Sequence, residues 1–119
     1  MKITIPISVG ELLDKISILQ IKSQYTDNSF VQKELDDLIK VAQENKVYTQ
    51  DDINSLLEVN QKLWNIEDEL RLFENKHLFD EDFIQLARLV YTYNDQRAEI
   101  KKQINQKYKS EYREVKCYV

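Results

Sequence analysis

Hydrophobic residues fall along this chain with two different periods. At the N-terminus they alternate. Ile3, Ile5 and Ile7 share one face between Lys2 and Ser8, the pattern of a half-buried strand. Pro6 has no N–H to give to a ladder, so the spacing predicts a short strand or an edge. The C-terminus alternates again, with Val115, Cys117 and Val119 against Lys116 and Tyr118. Neither strand is stable alone in water, so the two are expected to pair, within one subunit or between two.

Between these ends the repeat lengthens to that of a helix. Ser8 followed by Glu11 is a capping box, and Ile7 with Leu12 can form its hydrophobic staple. A first helix is therefore expected to run to about Tyr25. Val9, Leu12, Leu13, Ile16 and Leu19 make one apolar face, while Asp14, Ile18, Ile21 and Tyr25 line a second, narrower stripe. A helix with two such sides is buried on both. After the loop Thr26-Asp27-Asn28-Ser29, a second helix spans about Phe30 to Glu44 and buries Val31, Leu35, Leu38, Ile39 and Ala42. Thr49 with Asp52 starts a third helix that reaches about Lys76, and Asp80 caps a fourth. The short turn at His77-Leu78-Phe79 predicts that the third and fourth helices pack antiparallel. The fourth is expected to continue to about Tyr112, close to 50 Å at about 1.5 Å per residue. A small domain cannot cover that length, so a second copy of the chain is expected over its far end.

Two arcs contain polar residues where apolar ones are expected. In the third helix Leu56, Val59, Leu63, Ile66, Leu70 and Phe73 form a heptad stripe beside Ile53, Leu57 and Trp64, and Asn60, Glu67 and Arg71 lie between the two. In the fourth, Asn94, Arg97 and Lys101 sit near the middle of the arc of Phe83, Leu86, Ala87, Val90, Tyr93, Ile100, Ile104 and Tyr108. A charge buried without a partner costs several kcal/mol, roughly. Arg97 and Lys101 therefore require carboxylates, and Glu67 and Asp14 are the inward-facing candidates. The expected result is a polar seam between the first, third and fourth helices. One reading makes it an ion-pair network that fixes helix register. A second makes it a pocket for an anionic ligand, with Asp14, Glu67, Arg71, Asn94, Arg97 and Lys101 as its residues, and a third lets the long side chains snorkel to solvent and encloses nothing.

The 119 residues are one domain's worth and enough for a core without disulfides or metals. One Gly and one Pro favour long helices over a turn-rich β protein. The formal net charge of −4 offers no footprint for duplex nucleic acid, so nucleic acid is disfavoured as a partner. No apolar run approaches the roughly 18 residues of a membrane span, and MKITIPIS lacks the apolar core of a signal peptide. The lone Cys117 suits a reducing cytoplasm.

The segments SVGELLDKISILQIK, LWNIEDELR and FDEDFIQLARLVYTYNDQRAEIKKQIN resemble the signature segments of a small bacterial family of unknown function, similar in length to this chain. That resemblance covers most of the chain, and it implies one complete domain over residues 1–119. It implies no chemistry.

Other candidate chemistry is weaker. Gly10 at a helix start could receive phosphate, but Glu11 follows it and no glycine-rich loop surrounds it. His77 and Cys117 are each alone, so no metal site or activated thiol is expected. The acids Glu34, Asp36 and Asp37, and Asp68 with Glu69, fall mostly on outer faces and do not converge as magnesium ligands would. No cofactor is expected. The tyrosines toward the C-terminus suit subunit contacts.

Taken together, these features predict a mainly α protein: about four helices built on a long antiparallel hairpin, with short terminal strands. Its first reading is a cytoplasmic, non-enzymatic interaction or scaffold protein that forms a homodimer and can engage a protein partner. The alternative is a small enzyme or binding protein for a phosphorylated or carboxylated metabolite at the seam.

Overall fold

The computed structural model describes residues 1–117. Four helices follow in order: α1 (Val9–Ser23), α2 (Ser29–Glu44), α3 (Gln50–Asn75) and α4 (Glu81–Lys107). Their starts lie where the capping residues put them. The side chains of Ser8, Asn28, Thr49 and Asp80 accept the N–H groups of Glu11, Phe30, Asp52 and Phe83, so each helix has one of its orphan donors satisfied.

Three of the helices stop in the same way, without the usual glycine. Lys46, His77 and Lys109 each take a left-handed φ of 59°, 53° and 53° just past a helix end. Around each, two backbone bonds close a Schellman motif. Val47 donates to Ala42 and Lys46 to Gln43; Leu78 to Phe73 and His77 to Glu74; Ser110 to Asn105 and Lys109 to Gln106. α4 therefore ends at Lys107, short of the expected Tyr112.

α3 and α4 form the antiparallel hairpin, as Lys107 beside Asp52 and Phe73 beside Phe83 attest. α1 lies against both and also against α2, whose only helical neighbour is α1. Leu12, Leu13, Ile16 and Leu19 meet Leu35, Ala42, Ile53, Leu56 and Ile104 in one core. The second face of α1, at Asp14 and Ile21, is buried too. The chain's own α3 and α4 cover it, so the two-sidedness of α1 requires no second copy.

The terminal strands are not formed. Among the described residues there is no strand, and Ile3, Ile5 and Val115 are exposed. No neighbouring strand offers either segment a ladder, and Pro6 lacks a donor; Val119 lies outside the described residues. At 26 and 27 residues, the hairpin helices far outreach the 15-residue α1, so their connected ends project beyond the core. The uncovered part of α4 is thus its beginning rather than its far end. Leu72, Leu78, Phe79, Ile84, Leu89 and Tyr91 are exposed there.

Candidate functional site

The polar seam lies where α1 crosses the hairpin, and its centre is Asp14. Asp14 is fully buried. Two neighbours, Arg97 and Asn60, donate to its carboxylate. Arg97 donates through Nε to both carboxylate oxygens, at 3.0 and 3.1 Å, and through a terminal nitrogen to Oδ2. Asn60 Nδ2 donates to Asp14 Oδ1 at 2.9 Å and to Ser17 Oγ at 2.8 Å. Ser17 in turn donates to the Asp14 carbonyl at 2.7 Å. The bidentate fork matches a guanidinium to a carboxylate. The hydrogen bonds to Asp14 carry Arg97 above its ordinary pKa, against the effect of burial.

One turn further along α4, Lys101 is buried as well. Its carboxylates are Glu11, at 3.1 Å, and Glu114 from the segment after α4, at 3.0 Å. Burial alone would lower the Lys101 pKa; the hydrogen bonds to Glu114 and Glu11 outweigh it and leave it raised. Another turn on, Asn105 Oδ1 accepts the Gly10 N–H at 2.7 Å, and Ser110 Oγ accepts that of Val9 at 3.1 Å. The first amides of α1 are thereby occupied from within the chain. A Cβ at Gly10 would stand 2.8 Å from the Lys101 carbonyl and 2.9 Å from Asn105 Oδ1. The glycine is there for close approach of two helices rather than for phosphate.

The expected seam is therefore met in part. Asp14 and Lys101 are buried and Arg97 is half-buried beside Asp14, but Glu67 is not the partner of either cation. Glu67 and Arg71 are exposed on the wall of an open cleft of about 470 Å³ between α1, α3 and α4. Its floor and sides include Trp64, Asn60, Asn94 and Arg97. Tyr25 stacks on Trp64 at its end, with ring centroids 5.1 Å apart. At Glu67 this open cleft separates α3 from Ile18 and Ile21 of α1, so the helical arc that predicted burial there faces solvent.

Asn60, expected inside the arc of the third helix, is the α3 member of the seam, while Glu11, Ser17, Asn105, Ser110 and Glu114 join it beyond the expected residues. Some of the signal was present. Asn94, Arg97, Lys101 and Asn105 follow helical spacing, and the polar stripe continues one turn past where it was expected to end. Glu11 was assigned to a capping box, yet its side chain serves Lys101 while its backbone N–H alone meets Ser8. Glu114 carried no signal, since it lies beyond the last helix.

Among the described residues no buried side-chain nitrogen or oxygen lacks a partner. Nor do three His, Cys, Asp or Glu side chains come together as metal ligands, and no helix is long and apolar enough to cross a membrane. Residues 1–119 match the model of a family described as Family of unknown function (DUF6165). No curated protein and no solved structure matches the chain.

Proposed function

The chain belongs, over its whole length, to a family of unknown function, and since that premise supplies no activity to inherit, we propose one from the geometry: a non-enzymatic interaction protein that self-associates through the projecting end of the α3/α4 hairpin. What carries this reading is the exposure of Leu72, Leu78, Phe79, Ile84, Leu89 and Tyr91 along one short stretch of chain. Fully covering a Leu or Phe contributes up to about 1.5–3 kcal/mol, so exposed apolar side chains gathered at one end of the hairpin favour self-association there. The Asp14–Arg97 pair fits the same reading, because an ion pair that joins α1 to α4 has a use in helix register and needs no ligand. The lone cysteine suits a reducing compartment, so we place the protein in a bacterial cytoplasm, as a homodimer able to receive a further protein partner.

The test is mass in solution. Light scattering at micromolar concentration is expected to give twice the 14.3 kDa of one chain. The double variant Leu72→Glu/Ile84→Lys, altered only at exposed positions, is expected to return the monomer mass. A monomeric wild type ends the proposal.

A second reading has its own support. Asn94 and Arg97 line the open cleft, with Arg71 on its wall, which is the access that a phosphorylated or carboxylated metabolite needs. Against it, Asp14 already engages Arg97, and Glu67 and Asp68 share the cleft wall. An anion there must be held at short range by directed hydrogen bonds, because the surrounding charge does not attract it.

A further inference from the structure

We propose that residues 110–117 form a displaceable strap whose Glu114 carboxylate occupies an anion site at Lys101, and that a small external carboxylate takes the same place when the strap lifts. This rests on the second, ligand-binding reading and supplies both the ligand class and the regulation of that site.

Four observations carry it. First, the site holds a carboxylate already: Glu114 Oε2 stands 3.0 Å from Lys101 Nζ, and Lys101 is the only buried lysine among the described residues. Second, the site is a recess and not a lone side chain. Asn94 and Arg97, the next polar residues up α4, join Lys101, Glu11, Glu114 and Lys116 around a volume of about 250 Å³. Asn94 and Arg97 also line the larger cleft, so the two spaces adjoin. Third, the strap is anchored at its base and loosely held beyond it. Ser110 is buried, with its Oγ accepting from Val9 and donating to the Tyr112 carbonyl at 2.9 Å, and Arg113 Nε donates to the Ser110 carbonyl. Past Arg113 the ion pairs given by Glu114 to Lys101 and by Lys116 to Asp95, the latter at 3.6 Å, tie it to α4. Val115 between them is 80% exposed and supplies no apolar anchor. Fourth, a space of about 340 Å³ remains between the strap and α4, bordered by Ala98, Lys102 and Arg113. Partly exposed ion pairs contribute little on their own, so the strap can leave while the buried helix packing stays.

Lifting the strap removes Glu114 and Lys116 together and leaves Arg97 and Lys101 against Asp14 and Glu11, a neutral set. An incoming carboxylate is therefore held by the directed hydrogen bond that Lys101 gave to Glu114 and not by excess positive charge. It competes with an intramolecular group of high effective concentration, so the wild-type site binds weakly and the strap sets its threshold.

Titration of the full chain with glutarate at constant ionic strength, followed by amide NMR, tests this. In wild type the signals of residues 113–116 are expected to move toward those of unstructured chain as glutarate fills the site. Glu114→Gln removes the competitor without touching Lys101, and glutarate affinity is expected to rise about two- to six-fold, the worth of one partly exposed ion pair. Lys116→Gln loosens the strap elsewhere and is expected to raise it by less. Glutarate binding of equal affinity in wild type and Glu114→Gln, with signals 113–116 unmoved, overturns the strap and leaves the ligand reading standing. No binding to any of the three proteins overturns both.

Discussion

Asp14 shows what one residue decides here. A fully buried carboxylate is tolerable only with its donors in place, and Arg97 and Asn60 fill that need from two other helices, with Ser17 holding Asn60 from the side of α1. Removing Arg97 leaves the charge without its cation. Arg97→Met is therefore expected to lower unfolding free energy by about 3–5 kcal/mol, read from urea denaturation. The double variant Asp14→Asn/Arg97→Met is expected to recover much of that loss, since no buried charge remains. A single-variant cost under about 1 kcal/mol would mean that Asp14 finds water or another cation. The meeting of Asp14 with Arg97 could be read in advance, because both interrupt apolar stripes and an inward charge needs a counter-charge. The partners of Lys101 could not, because Glu11 had an equally good local use and Glu114 lies past the last helix.

At the level of elements, the starts of helices were more legible than their ends. Ser8, Thr49 and Asp80 announce themselves by side-chain chemistry, whereas the loop of residues 26–29 left open that Asn28 is the cap. The ends rely on Lys46, His77 and Lys109 in a conformation that glycine favours, and the chain's single glycine sits at position 10, where α4 crowds the backbone. With no glycine to mark its stop, α4 was expected to run on to Tyr112. Lys46→Gly is expected to stabilise the fold by about 1 kcal/mol, by relieving the left-handed strain of a residue with a Cβ. A change of melting temperature in the opposite direction would show that the Lys46 side chain contributes more than its backbone costs.

For the whole molecule, the consequence is uneven cover. α1 shields one half of the hairpin, with α2 packed behind α1, and the long axis of 48 Å reflects the half left bare. Amide hydrogen exchange is expected to be fast across residues 67–95 at low protein concentration and slower as concentration rises. Exchange in α1 is expected not to depend on concentration, since its contacts lie within the chain. Concentration-independent exchange at residues 67–95 would place any self-association elsewhere. The same unevenness explains why Glu67 and Arg71 fall outside the buried network. A helical wheel shows which side of α3 faces inward but not how far along that side a neighbouring helix extends.

Helical periodicity, capping residues and the scarcity of glycine and proline were enough to determine a four-helix protein with an antiparallel hairpin, because those signals act within a few residues of one another. The alternating ends promised strands that need partners, and none lies alongside them. Only the tertiary structure decided where α1 stops covering the hairpin, which carboxylates neutralise Lys101, and that the last segment turns back along α4. The first depends on one element outreaching another, the second on Glu11 from 90 residues away and Glu114 from beyond the helix end, and the third on ion pairs that reach back across a turn; no pattern within a helix carries that information.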